Sequence, residues 1–504
     1  MRLFPDWVSV AAISYLAAPV LVFFLGWLQP LAGTLLAGLL AYALYCLCLR
    51  LPERPAKYTA GALTWMLLIA FAWSAFGGAG HLFYANLDWR TRDAVYADLI
   101  LAAWPPAYGW DDGVALIMRT AMGFFLPPAV AAKLVGIEFA PALLLAWCTL
   151  GVYLFLLLLP LPGRFGLRLM LGTLLVVFFS GMDYPGILVA HGQTPMFPLP
   201  LEWWRPWTYS SLTAQLFWAP NHALPLWLGT ALLYRHKDAC SLPAIALVCL
   251  PMLLLWTPFA VIGLLPWFAW ALWRNFDSPA AAVRATEKVQ WLASVLTTVV
   301  LAGVFSRPGL GAIDLQLGAS ANPTPTGVTT WPQSDVVMAY IQFAAFEFGL
   351  LALLLRPTGP VVRQMLGAAV ALLLILPLMR FGPSNDWMLR ASTPCLVILL
   401  ILVIAEFERP WAEIRRSIRL AGLAAILMLG AVTPFFELAR AVVWQRTPPN
   451  FGKSLVAQQG YLPPHYIGRL DLPVLQALLK PPSQVPEGVL RQSLLHAPAP
   501  RQPW

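Results

Sequence analysis

Three aspartates, Asp88, Asp93 and Asp98, recur every five residues in the stretch "HLFYANLDWRTRDAVYADLILAAWPPAYGWDDG", which spans 81–113 and also holds Asp111 and Asp112. A carboxylate next to a lipid boundary can carry a raised pKa and take a proton from a hydroxyl, which is general-base chemistry. A five-residue step on a helix turns successive acids about 140° apart, so the three do not share one face. The plainer role for any one of them is to keep a loop solvated. A second group follows in "GMDYPGILVAHGQTPMFPLPLEWWRPWTYSSLTAQLFWAPNHALPLW", with His191, Glu202, Arg205, Tyr209 and, at the head of the next apolar run, His222. Its tryptophans fit an interfacial belt, and equally a platform for stacking sugar rings. A third group, "MRFGPSNDWMLRAS", places Arg380, Asp386 and Arg390 between two apolar runs. Two arginines and no lysine suit bidentate capture of a phosphate, with an Asp386–Arg390 pair at i,i+4 as the structural alternative.

The elements that must hold these groups are read from composition. The chain is 60% hydrophobic and 11% charged, against roughly 25% charged for a soluble domain. Its apolar runs are continuous, so they predict membrane-spanning helices and not the alternating strands of a barrel. Runs near 8–28, 31–49, 59–77, 139–160, 167–182, 218–234, 241–257, 258–273, 289–305, 338–355, 364–379, 391–407 and 418–435 predict about twelve to thirteen spans in an all-α polytopic bundle. The segment 114–134 carries Arg119, Lys133 and Pro127-Pro128 and is expected as a helix lying in the interface.

With the N-terminus inside, the loops "RLPERPAKY", "PGRFGLR", "YRHKD", "WRNFDSPAAAVRATEKV", "RPTGPVVR" and "ERPWAEIRRSIR" all fall on the cytoplasmic side, and each is basic. That distribution accounts for the +9 net charge without a nucleic-acid partner. The long loops, about 78–138, 183–217 and 306–337, then lie outside, together with a tail at 436–504 that follows a membrane domain at 1–435. No phosphate-binding glycine loop, serine-hydrolase elbow or zinc signature is present.

On "LDWRTRDAVYADL…WPPAY", "YSSLTAQLFWAPNHALPLWL" and "SNDWMLRASTP", within a layout covering roughly 60–435, the chain resembles the GT-C superfamily of polytopic membrane glycosyltransferases. The resemblance implies a transferase that moves a sugar from a polyprenyl-phosphate-linked donor to a glycan, lipid or protein acceptor. It implies a bacterial inner membrane with the active face periplasmic or extracellular. The carry-over makes Asp88 the base, with Asp93 or Asp98 as alternatives because two additional spans precede this loop. Arg390 would meet the donor phosphate, assisted by Arg380 or Arg205, and Asp98, His191, Glu202, Tyr209, His222 and Asp386 would surround the substrates. A divalent cation is left open, since no residue set marks a metal site. The competing expectation is a transporter or flippase of a lipid-linked or amphipathic solute, for which Glu347, inside "AYIQFAAFEFGLLALLL", is the ionisable residue.

Overall fold

A computed structural model describes residues 6–54, 58–192, 194–201, 207–305, 315–317, 333–381 and 385–496. The chain opens with two long apolar helices, α1 (Trp7–Trp27) and α2 (Pro30–Leu49), then α3 (Ala60–Phe76) and the polar helix α4 (Asp88–Leu101). A hairpin follows, β1 (Pro106–Asp111) and β2 (Val114–Met118), then α5 (Leu126–Val135), α6 (Ala140–Leu158), α7 (Leu167–Phe178) and α8 (Asp183–His191). The middle holds α9 (Leu212–Trp218), α10 (Pro220–His236), α11 (Leu242–Trp256), α12 (Pro258–Asn275), α13 (Pro279–Arg284), α14 (Lys288–Phe305) and the short strand β3 (Leu315–Leu317). Next come α15 (Gln333–Ala344), a π-helical turn at Ala345–Gly349, α16 (Leu350–Leu354), α17 (Pro360–Ile375), β4 (Met379–Phe381), α18 (Asp386–Ala391) and α19 (Thr393–Phe407). Helices α20 (Trp411–Arg416), α21 (Ile418–Gly430) and α22 (Val432–Val443) lead to a final segment with α23 (Leu455–Gln459), β5 (Ile467–Arg469), α24 (Pro473–Leu478), β6 (Ser483–Gln484) and α25 (Gly488–His496).

All thirteen expected spans fall on helices, and nine stretches among the described residues are long and apolar enough to cross a membrane. The chain is therefore a multi-pass membrane protein, built as a helical bundle. The four other runs are α3, α10, α11 and α12, of which the first three have 15–17 residues. At about 1.5 Å per residue such helices reach only about 25 Å, short of a hydrocarbon core near 30 Å. Helices α10 and α11 are buried over most of their residues, so they belong to the interior of the bundle and not to its lipid-facing wall.

Proline sets the breaks. Thr257, just ahead of Pro258, is extended (φ −174°, ψ 133°), and Pro258 occupies the first turn of α12, where its missing N–H costs nothing. The result is a tight α11–α12 corner. The expected interface helix over 114–134 is not observed. Val114–Met118 is strand β2, and only Leu126–Val135 is helical. Pro127-Pro128 sit in the first helical turn, where proline starts a helix and cannot continue one from upstream. Asp112 and Gly113, both at positive φ (50° and 77°), close the β1–β2 hairpin in its place.

The segment after α22 is folded onto the rest. It supplies both outer strands of a four-stranded sheet ordered β5-β2-β1-β6, with β5 antiparallel to β2 and β6 parallel to β1. It also reaches the end of α1, where the Lys480 N–H donates to the Trp27 carbonyl (2.8 Å) and its ammonium donates to the carbonyls of Leu25 and Gly26. A cation on the last turn of a helix meets the negative end of its dipole. Residues of α4, the α9–α10 junction, the α11–α12 corner, α18 and the folded tail thus come together around one cavity.

Candidate functional site

A cavity of about 700 Å³ opens where those elements meet. Asp88, Thr91 and Arg92 line it from the start of α4, Asn221 and His222 from the first turn of α10, and Asp386 and Arg390 from α18. The folded tail contributes Gln459, Tyr461, His465 and Tyr466, and Arg119 enters from the segment after β2.

Helix α4 is set by the turn before it. Gly78, at φ +90°, lies so close to Trp89 that an added Cβ would sit 2.7 Å from the indole Nε1, so glycine is required there. The Trp89 indole N–H donates to the Gly77 carbonyl (2.9 Å), and the Asp88 backbone N–H donates to the Asn86 side chain (3.1 Å). The same indole N–H also reaches the Phe217 carbonyl (3.2 Å), which fixes the first turn of α4 against α9. Arg92 then donates to the Trp218 carbonyl and to the Asp88 carboxylate (3.3 Å), while its other terminal nitrogen, Nη1, is buried with no hydrogen-bond partner among the described residues. Burial lowers the Arg92 pKa from its ordinary value, with Asp88 opposing and the Arg390 charge adding to the effect. Arg390 is held by Asp386 through two nitrogens (3.0 and 2.8 Å), so the i,i+4 pair exists and faces the cavity. The charges of Arg92 and Arg390 both reach His222, whose Nδ1 is bonded to Thr257 Oγ1 (2.7 Å). Tyr466 feels both arginines and both aspartates, while burial raises its phenol pKa. Burial likewise lowers the His465 pKa, with Asp386 opposing.

Two arginines, each steered by a carboxylate, therefore converge with an imidazole and a phenol. Such a group can take a phosphate bidentately. Asp88, with 53% of its side chain exposed, can accept a proton from a hydroxyl bound beside it. Among the described residues no three of His, Cys, Asp and Glu gather in a way that would hold a metal ion.

The other sequence candidates divide sharply. Asp93 and Asp98 do not line the cavity. They are buried, their oxygens already engaged by His81 and the Asn450 N–H, and by Arg491, Tyr108 and the Leu455 N–H, respectively. Tyr209 is buried too, donating to the Leu373 carbonyl and packed on Phe343, although its neighbours Thr208 and Ser210 do line the cavity. Glu202 and Arg205 lie outside the described residues, as do the side chains of His191, which ends α8, and of Arg380, which pairs with Gln316 between β3 and β4. Arg92, Arg119, His465 and Tyr466 were not among the sequence candidates. Arg92 was within reach, standing four residues after Asp88. The tail residues arrive by tertiary docking, which leaves no local pattern in the sequence.

Comparison with family models, with curated proteins and with solved structures gives no match.

Proposed function

We propose that this chain is a membrane glycosyltransferase of the GT-C type, which moves a sugar from a polyprenyl-phosphate-linked donor to an acceptor hydroxyl at the non-cytoplasmic face of a bacterial inner membrane. The observation that carries the reading is Asp88 on the same cavity wall as Arg92 and Arg390. The donor phosphate lies against the two arginines. Asp88 takes the acceptor hydroxyl proton as that oxygen bonds to the anomeric carbon. The bond from that carbon to the phosphate oxygen breaks, and the electron pair leaves with the lipid phosphate. Arg92 and Arg390 offset the charge growing on it, which is where fixed cations accelerate most.

Turnover of radiolabelled polyprenyl-phosphate-sugar by the purified full chain tests this. Asp88→Asn is expected to lose ~10²–10⁴ in rate, the size of a general base's contribution. Arg390→Ala is expected to lose turnover as well. Donor consumption unchanged in Asp88→Asn would sink the reading.

One observation favours a transporter or flippase instead. Glu347 is buried on the π-helical turn at Ala345–Gly349, and Asp183, buried on α8, accepts from Thr433 (2.9 Å) and Ser180 (3.4 Å) nearby. Glu347 bears on the Asp183 carboxyl. Buried acids inside span-length helices, one on a π-turn, are the type of feature that carries protons or substrate in transporters. Movement of labelled lipid across liposomes that is lost in Glu347→Gln, with no donor consumed, would put this reading first.

A further inference from the structure

Three arginines line the cavity, and two of them have carboxylate partners: Arg92 pairs with Asp88, and Arg390 with Asp386. Arg119 has none among the described residues. Its guanidinium is held by two neutral acceptors, the carbonyls of Phe305 (2.9 Å) and Pro464 (2.8 Å), and its Nε is buried without a hydrogen-bond partner among the described residues. Its own backbone N–H donates to the Tyr466 carbonyl (2.8 Å), so the group is locked in place from both sides. Burial lowers its pKa, yet guanidinium stays charged in proteins. A fixed, half-buried cation without an anion is costly unless a ligand supplies one. His465 is close enough to feel the Arg119 charge, and both line the cavity with the polar side chains of Gln459 and Tyr461.

We infer that Arg119, with His465 beside it, is a second anion-recognition point in the cavity, set for a phosphate or carboxylate of the ligand other than the group met by Arg92 and Arg390. What carries that anion rests on the transferase reading. A second phosphate on the donor and an acidic sugar on the acceptor are the two sources with this chemistry. The site itself is tested without turnover.

The full chain in detergent is titrated calorimetrically with inorganic pyrophosphate, inorganic phosphate and glucuronate. Arg119→Gln is expected to weaken at least one of these by roughly tenfold or more, since a charge-assisted hydrogen bond is lost. Arg119→Lys keeps the charge and a donor for a carbonyl, so it should recover part of that affinity. Melting temperatures of both variants show whether the fold is intact, and Asp111→Asn, at the rim and not on the cavity wall, should leave anion binding in place. Dependence on Arg119 for pyrophosphate alone assigns the second anion to the donor, and dependence for glucuronate assigns it to the acceptor. Equal affinities in wild type and Arg119→Gln, or binding of none of the three by wild type, overturns the inference. Loss of turnover in Asp88→Asn combined with indifference to Arg119 would leave the transferase and remove this site. Arg119-dependent binding without consumption of any donor would do the reverse.

Discussion

The two faces of α4 use the same residue type for opposite ends. On the cavity side Asp88 is half exposed and has one arginine partner; around the rest of the helix Asp93 and Asp98, themselves about 140° apart, are 2% and 0% exposed, and their oxygens are filled by His81, Arg491 and the tail. A carboxylate whose lone pairs are all taken by buried donors is a rivet, because moving a proton through it means breaking the fold. A carboxylate with one partner and open space keeps capacity for a substrate. What separates them is the angle around the helix and the docking of the chain's last segment, which covers one face and only borders the other.

The largest effect should come from breaking the most buried rivet. Arg491→Met leaves the Asp98 carboxylate with Tyr108 and the Leu455 N–H only. Stranding one partner of a buried ion pair costs about 3–5 kcal/mol, and the tail from Trp444 onward should become protease-sensitive near neutral pH. Acid should relieve this. Burial pushes the Asp98 carboxyl up to about 6 from an ordinary 3.8, with Arg491 pulling the other way. The folded form therefore holds a proton between those values that the unfolded chain has lost. That contribution is full below the unfolded pKa and disappears as pH rises through the folded one. Without Arg491 the folded pKa rises further, so the variant's tail should tighten as pH falls from 8 toward 5. A tail equally sensitive at both ends of that range would break the comparison from the structural side.

Asp88→Asn probes the other face. Its effect should fall mainly on rate, because Asp88 is half exposed and the buried Arg92 keeps the Trp218 carbonyl as a partner. Unchanged melting with turnover lost sharpens the division. Lower melting by as much as in Arg491→Met would make Asp88 a third rivet. His81→Ala belongs between these two in stability. His81 sits at φ 54°, with Nε2 on Asp93 (2.9 Å) and Nδ1 on the Thr447 carbonyl (2.9 Å), so its loss leaves a buried oxygen of Asp93 unpaired. A cost of about 1–3 kcal/mol follows, read as a lower melting temperature at unchanged anion binding.

Much of this division could be read before any coordinates, and the part that could not has a physical cause. The five-residue step implied that the acids of α4 point different ways, and all thirteen apolar runs fall on helices. The i,i+4 spacing of Asp386 and Arg390 offered an ion pair as the alternative to an anion site, and the structure has that pair, on the cavity wall. The step could not say which acid faced open space, because that depends on where Arg491 and Phe451 come to rest, some 350–400 residues later in the chain. The same long-range docking brings Tyr466 and His465 to the cavity. It also turned the expected interface helix into β2, since a strand needs partners and those partners, β1 and β5, are one local and one remote. Composition could count apolar helices but not their lengths to a residue. Hence the runs read as α10 and α11 are found as helices of 17 and 15 residues in the bundle interior.

The smallest effect is expected at the rim, and it bears on how the tail is held. Arg469 of β5 pairs with Asp111 of β1 across the sheet, with both side chains about a third exposed. Such a pair is screened by salt, whereas Asp98–Arg491, with no exposure at all, is screened much less. Asp111→Asn should therefore change tail stability by less than about 1 kcal/mol, and raising the ionic strength to ~1 M, where screening acts within about 3 Å, should leave wild-type protease resistance nearly unaltered. Salt that releases the wild-type tail would mean exposed charges hold it, and the buried acids of α4 would then be followers of the docking and not its cause. Salt that releases it only in Arg491→Met would show that the rim pair matters once the rivet is gone, which places the two in series along one docked segment.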